Sequence, residues 1–346
     1  MNNPANLNQA NPNQVSRNPL KTDCHASREF LLESPIVPEH RVQYDPPGKA
    51  QTAQLKAAFP NMQARETFNA DSVGKLKETF IFGALAIKID KTKSGAATLA
   101  DTDPGTHPKD HQTANNRLVH LTKALDTVAT ENKGNWGHLY ADILGLYVPG
   151  REFANYRVIA QTIRDTADHL EGATLSIGIA GYPTDHFSRS QIMGNALKAL
   201  DHATFLGPGT TVEFDAVSLN ISGDRLYSRG DIKGSITEFE HALRLDPSSV
   251  NLRNSLGVCH GILKQYDQAL LEFEAAIRLA PGEVMAVYNY GLVMMLTSIQ
   301  TGRLTIFSRQ KGFVTISSRL FFILGRSISI RGTPKKGWTI LKRPWT

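Results

Sequence analysis

Glu238–Pro247 reads EFEHALRLDP, and Glu272–Pro281 reads EFEAAIRLAP, nearly the same ten residues 34 positions later. The interval extends beyond that phrase. Gly223 returns as Gly257 and Gly291, Phe239 as Phe273, Ala242 as Ala276, Leu245 as Leu279 and Pro247 as Pro281. Self-similarity at this period marks stacked helix–turn–helix units, none of which buries its apolar face alone. In a helix pair a small residue lets the backbones approach, and a large one fills the neighbouring gap. Gly223, Gly257 and Gly291 are therefore the expected close-approach points. Phe239 and Phe273 are the fillers, with Ala242 and Ala276 one turn on. A proline after each second helix stops it.

The pattern resembles the tetratricopeptide repeat (TPR). It covers two full units, 216–249 and 250–283, and the first helix of a third, 284–297. The second unit keeps Leu256, Gly257, Ala269, Phe273, Ala276 and Pro281 at consensus positions. The first departs at Ser222 and Ser235, where Leu and Ala are usual. The resemblance implies an all-α helical-hairpin array whose first helices line a concave face that docks a protein or peptide. Repeat geometry puts Asn220, Asp224, Tyr227, Asn254, Val258 and Tyr288 on that face as candidate partner-binding residues.

A chain of 346 residues suggests about two domains. A 41% hydrophobic and 20% charged composition suits globular domains with disordered parts. Cys24 and Cys259 alone make neither a disulfide framework nor a metal site. Cys259 falls within a repeat helix and fills core space; a reducing compartment is consistent with this usage. The polar N-terminus lacks a signal peptide, and no run reaches the roughly 20 apolar residues that span a bilayer. A cytoplasmic location without membrane contact is expected. The net charge is +6, but from Thr297 to the end there are ten Lys/Arg and no Asp or Glu. The remainder holds 28 basic against 32 acidic residues. The basicity thus belongs to one tail and does not argue for a nucleic-acid partner of the folded body.

Residues 1–20 hold seven Asn, two Gln and three Pro. Such a segment has too little apolar surface to offset the entropy of ordering, so 1–48 reads as disordered. Residues 49–78 read as a linker, with Lys49–Phe59 forming a short helix and no firm reading for 61–77. From Thr79 the pattern changes. TFIFGALAIKID reads as a buried strand, and 91–113 as a Gly-, Pro-, Thr- and Asp-rich loop. Ala114–Asn132 is a helix with Leu118, Leu121, Leu125 and Val128 on one face. Two short strands, WGHLYADI and LGLYVPG, follow. Phe153–Leu170 is a helix, 174–183 a strand, Ser188–Phe205 a helix and 210–216 a last strand. The order β-α-β-β-α-β-α-β predicts an α+β layer.

Two segments of this region carry a second resemblance. Ser176-Ile177-Gly178-Ile179-Ala180 with Tyr182-Pro183-Thr184-Asp185 looks like the "SIGVA.YP.D" strand of GGDEF domains, the diguanylate cyclases. Ala196, Ala199, Leu200, Ala203 and Gly207 keep the spacing of that family's last helix. The resemblance covers about 79–216 and implies a ferredoxin-like, adenylyl-cyclase-like sheet with helices packed on it. It also implies phosphoryl transfer between two GTP molecules held on two facing domains, so dimerisation through this domain is an implied contact. Two metal ions, bound by carboxylates, neutralise the triphosphates and activate the attacking hydroxyl.

This sequence departs from the residues that such chemistry needs. Aligned on Pro149, the signature falls on Tyr140-Ala141-Asp142-Ile143-Leu144, with both glycines gone and Ile143 at the second acidic position. The first-strand motif falls on Lys88-Ile89-Asp90-Lys91-Thr92-Lys93, which puts Lys88 where the family has a metal-binding Asp. An ammonium there repels a divalent cation. Thr204 stands where the family has a phosphate-reaching lysine, and Pro208 where it has an arginine. The product-inhibition RxxD motif falls on Glu131 and Gly134. Asp142 and Asp90 remain but lack partner acids. His138 and His202 are isolated and read as surface residues, and Gly207-Pro208-Gly209 reads as a turn. No catalytic residue, cofactor or metal is expected.

After Met295 the repeat register breaks: the set Ala, Phe, Ala of a third unit's second helix is not kept. The tail, 298–346, is basic and reads as disordered or as the product of an altered frame. A membrane-surface or nucleic-acid tail is the rival reading, though no amphipathic period supports it. The expected organisation is 1–48 disordered, 49–78 linker, 79–216 degenerate GGDEF-like domain, 217–297 TPR repeats and 298–346 tail. The expected function is non-catalytic protein interaction or signalling. The alternatives are a surviving nucleotide-binding enzyme or sensor in cyclic di-GMP signalling, and a pseudogene product.

Overall fold

Strand β1 (Phe82–Ile89) is buried on both faces for most of its length, so its sequence, FGALAIKI, shows no apolar–polar alternation. The computed structural model describes residues 44–90, 108–150, 153–166 and 173–300. The expectations for 1–43, 91–107 and 301–346 lie outside them. Five strands form one sheet in the order β2-β3-β1-β4-β5, with β2 Asn135–Tyr140, β3 Ile143–Pro149, β4 Leu175–Tyr182 and β5 Thr211–Glu213. β1 runs antiparallel between β3 and β4, and only β5 joins in parallel. The α+β sheet domain expected from the sequence is therefore present.

Helices α1 (Lys49–Ala58) and α2 (Arg65–Lys75) precede the sheet, and α3 (Pro108–Glu131), α4 (Phe153–Thr166) and α5 (Ile192–Leu206) connect its strands. Leu118, Leu121, Leu125 and Val128 of α3 pack with Leu85, Ile87, Leu144, Leu146, Ile177 and Ile179 in one core. Phe68 of α2 meets Tyr147, which also touches Phe82. A Cβ on Gly178 would lie 2.1 Å from the Ala196 carbonyl oxygen and 2.2 Å from the Leu200 nitrogen. The backbone of α5 thus rests directly on β4, and no side chain fits between them.

Some boundaries differ from the sequence reading. Pro108–Thr113, read as loop, opens α3, because a proline's missing N–H costs nothing in a first turn. α2 occupies the stretch that had no firm reading. Strand β5 ends at Glu213, and Ala216 begins α6 (Ala216–Ser228), because the Asp215 carboxylate caps it, accepting from the Ser218 N–H at 2.8 Å.

Four more helices follow α6: α7 (Ile232–Leu245), α8 (Val250–Ile262), α9 (Tyr266–Leu279) and α10 (Val284–Gln300). The chain divides into one unit spanning Ile36–Leu252 and another from Arg253 on, within α8. The first hairpin, α6–α7, is therefore part of the sheet unit, whereas the two resemblances place a boundary at 216/217. Side chains explain the difference. Arg225 pairs with Asp201, Lys198 Nζ lies 2.7 Å from a Glu238 carboxylate oxygen, and Phe187 stacks on His241 at 4.8 Å.

The repeat chemistry is as the spacing predicts. A Cβ on Gly223 would sit 2.4 Å from the Phe239 ring, and one on Gly257 2.6 Å from the Phe273 ring. Ala242 and Ala276 are fully buried. Ser235, off-consensus in the first unit, is accommodated by donating its hydroxyl to the Gly223 carbonyl at 2.8 Å. Cys259 is buried as expected.

Candidate functional site

The positions that the GGDEF resemblance singles out gather at one end of β1. Lys88 pairs across the sheet with Ile143 on β3 and with Ser176 on β4. Two residues on, Asp90 is buried, and both of its carboxylate oxygens are hydrogen-bonded. It accepts from the Thr174 hydroxyl at 2.8 Å, from the Ser176 hydroxyl at 2.8 and 3.0 Å, and from the Gly209 N–H at 2.8 Å. Both oxygens accept hydrogen bonds, so Asp90 works as a clasp between β1, β4 and the turn entering β5. Its donors lie 84 to 119 positions away, and sequence reasoning did not connect them.

The signature hairpin turns tightly through Ala141 and Asp142 between Tyr140 and Ile143. The segment ahead of α1 lies against it. The Tyr44 ring is 5.0 Å from that of Tyr140, the Arg65 guanidinium sits 4.6 Å from the Tyr140 centroid, and the Ala141 N–H donates to the Asp45 carbonyl at 2.9 Å. Asp142 is half-buried, and its carbonyl accepts from the Ile89 N–H at 3.1 Å.

The remaining candidates scatter. Thr204 bonds back to the Leu200 carbonyl at 2.9 Å, and Pro208 and Gly209 form the expected turn. Glu131 is exposed at the end of α3, and Gly134 packs under the Tyr147 carbonyl. His138 corrects the surface reading: it is 1% exposed, and among the described residues neither ring nitrogen finds a hydrogen-bond partner. Desolvation pulls its pKa below the ordinary imidazole value, offset only in part by the nearby Tyr140 and Ala141 backbone and by Asp142. His202 is also not a surface residue. Its side chain is largely buried, with Nδ1 at 3.3 Å from Ser218 Oγ and 3.6 Å from Asp215 Oδ1. Burial raises the Asp215 carboxyl, but His202 and Ser218 together outweigh it and hold its pKa below the usual range. Among the described residues, no three His, Cys, Asp or Glu side chains gather as a metal site.

Of the repeat positions, Asn220 and Asp224 on α6 are half-buried, whereas Tyr227 is buried. The Asn220 side-chain oxygen is buried with no hydrogen-bond partner among the described residues. On α8, Asn254 and Val258 are buried, and Asn254 accepts from Asn289 of α10 at 3.0 Å. Tyr288 is half-buried.

A family model described as TPR repeat matches residues 223–261. The aspartyl/asparaginyl beta-hydroxylases of Mus musculus and Homo sapiens are 25% and 23% identical to this chain over 105 residues, 30% of the chain. The match spans only 14% of the length of either relative. Among solved structures, the GGDEF domain of DgcB from Caulobacter crescentus in complex with c-di-GMP is similar at 16% identity. It covers 44% of this chain and 91% of that one, with a TM-score of 0.36. The FimX GGDEF domain from Pseudomonas aeruginosa is similar at 15% identity, 44% and 94% coverage and a TM-score of 0.34. The chain thus has a five-stranded α+β sheet domain followed by helical hairpins, and residues 223–261 match the TPR-repeat model. No helix among the described residues is long and apolar enough to cross a membrane.

Proposed function

We propose that this protein is a non-catalytic interaction protein in which a degenerate GGDEF-like domain is a structural or sensory module and the TPR repeats dock a protein or peptide. TPR repeats with a GGDEF-like fold support a role in protein interaction or one related to cyclic di-GMP. The observation that carries the non-catalytic reading is the state of Asp90. Its carboxylate is consumed by Thr174, Ser176 and Gly209, while Lys88 and Ile143 stand side by side at the neighbouring rung. A two-metal phosphoryl transfer needs uncommitted carboxylates where this chain has an ammonium and a hydrocarbon. Of the candidate docking residues, Asn220, Asp224 and Tyr288 retain exposed surface for a ligand.

The test uses the full chain with GTP and Mg²⁺. The expected result is neither nucleotide binding by calorimetry nor formation of cyclic di-GMP. Turnover that Asp142→Ala abolishes would overturn the proposal and establish a nucleotide enzyme instead. Pairing of two copies through the sheet domain is part of the same reading, and light scattering reads it directly.

A further inference from the structure

Tyr44 lies where three elements meet. Its ring packs against Tyr140 of the β2–β3 hairpin at 5.0 Å, and its hydroxyl donates to Oδ1 of Asp201 on α5. The other oxygen of Asp201 accepts from Arg225 on α6. Asp201 is 7% exposed, so it depends on both donors: a buried carboxylate that loses one is left partly unsatisfied. Burial first, and then the charge of Asp201, holds the Tyr44 phenol far above its ordinary pKa, so the hydroxyl remains a donor across the physiological range. The backbone around Tyr44 is lightly held. Residues 44–48 belong to no helix or strand, and Pro46-Pro47-Gly48 leads directly into α1. Its hydrogen bond to the hairpin is the one from the Ala141 N–H to the Asp45 carbonyl. Irregular segments with few backbone bonds open at far lower free energy than the sheet they cover.

We propose that Tyr44–Asp45 is a detachable strap that latches the first repeat helix to the sheet domain through Asp201. Closed, it completes the Asp201–Arg225 pair and covers the hairpin turn. Open, it uncovers one side of the Tyr140 ring, the Ala141 N–H and one oxygen of Asp201, and α6 loses part of its anchor.

The test is hydrogen exchange on the full chain, wild type against Tyr44→Phe and Tyr44→Ala. Tyr44→Phe keeps the ring and the Asp45 carbonyl but removes the donor to Asp201. The expected result is exchange about tenfold faster in the Leu219–Tyr227 amides, with Ala141 and β1 unchanged. Tyr44→Ala should free Ala141 as well. Unchanged α6 exchange in Tyr44→Phe overturns the latch, as does an equal loosening of β1, which would mark a general loss of stability. Should Tyr44→Ala fail to fold, Tyr44→Phe alone decides.

Discussion

Gly223 lies so close under Phe239 that a single added methyl group would sit 2.4 Å from the ring, and Gly257 stands in the same relation to Phe273 at 2.6 Å. A helical glycine costs about 1 kcal/mol relative to alanine, so Gly→Ala at an exposed helix position would stabilise. Here the ring must move, and overpacking costs roughly 1–3 kcal/mol. Gly223→Ala and Gly257→Ala are each expected to lower stability by about 1 kcal/mol net, read by urea unfolding. A gain in stability would show that the ring shifts freely.

Asp90 is predicted to be a stability residue. Hydrogen bonds to a charged group are worth about 1.5–3 kcal/mol, and removing this carboxylate leaves the Thr174, Ser176 and Gly209 donors without their acceptor. Asp90→Ala should therefore cost about 3 kcal/mol or more by chemical denaturation, without a change in the Mg²⁺ dependence of the melt. A melt that depends on Mg²⁺ in the wild type and not in the variant would make Asp90 a metal ligand.

How much of this was visible beforehand depends on where the partners lie. The 34-residue interval exposed the glycine–phenylalanine contacts because both members recur in fixed register, 16 positions apart. The Asp90 clasp did not show, because its donors come from two other segments whose Thr, Ser and Gly are ordinary residues out of context. Helix α2 escaped because RETFNADSVGK buries only Phe68 and Ser72 and offers no apolar stripe. His138 was misread because a polar side chain on an edge strand carries no sequence sign of burial; only the hairpin bulge between His138 and Tyr140 and the packing around it reveal that.

Burial of His138 gives stability a pH dependence of definite sign. Its folded pKa is depressed below the 6.5 of a free imidazole, so the unfolded chain takes up the proton more readily. This contribution is fully present above about pH 6.5 and is lost as pH falls from there through the folded value. His138→Leu should flatten the slope of unfolding free energy between about pH 6.5 and 5. His241, also depressed by desolvation and then by Arg244, should account for part of the remaining slope. An unchanged slope in His138→Leu would mean that water reaches the ring.

Gly134 tests whether the RxxD pattern of the GGDEF domains that this region resembles could be installed by side chains alone. A Cβ at this position would lie 2.5 Å from the Tyr147 carbonyl oxygen, which is backbone of β3 and cannot swing aside as a side-chain tip would. Gly134→Ala should destabilise the sheet domain by roughly 1–3 kcal/mol. The pair Glu131→Arg with Gly134→Asp restores both residue types, yet the aspartate can be seated only by shifting β3 in the middle of its pairing with β1 and β2. The expected outcome is a lowered melting temperature and no calorimetric binding of cyclic di-GMP. Binding by the double variant at unchanged stability would show that the backbone here yields cheaply.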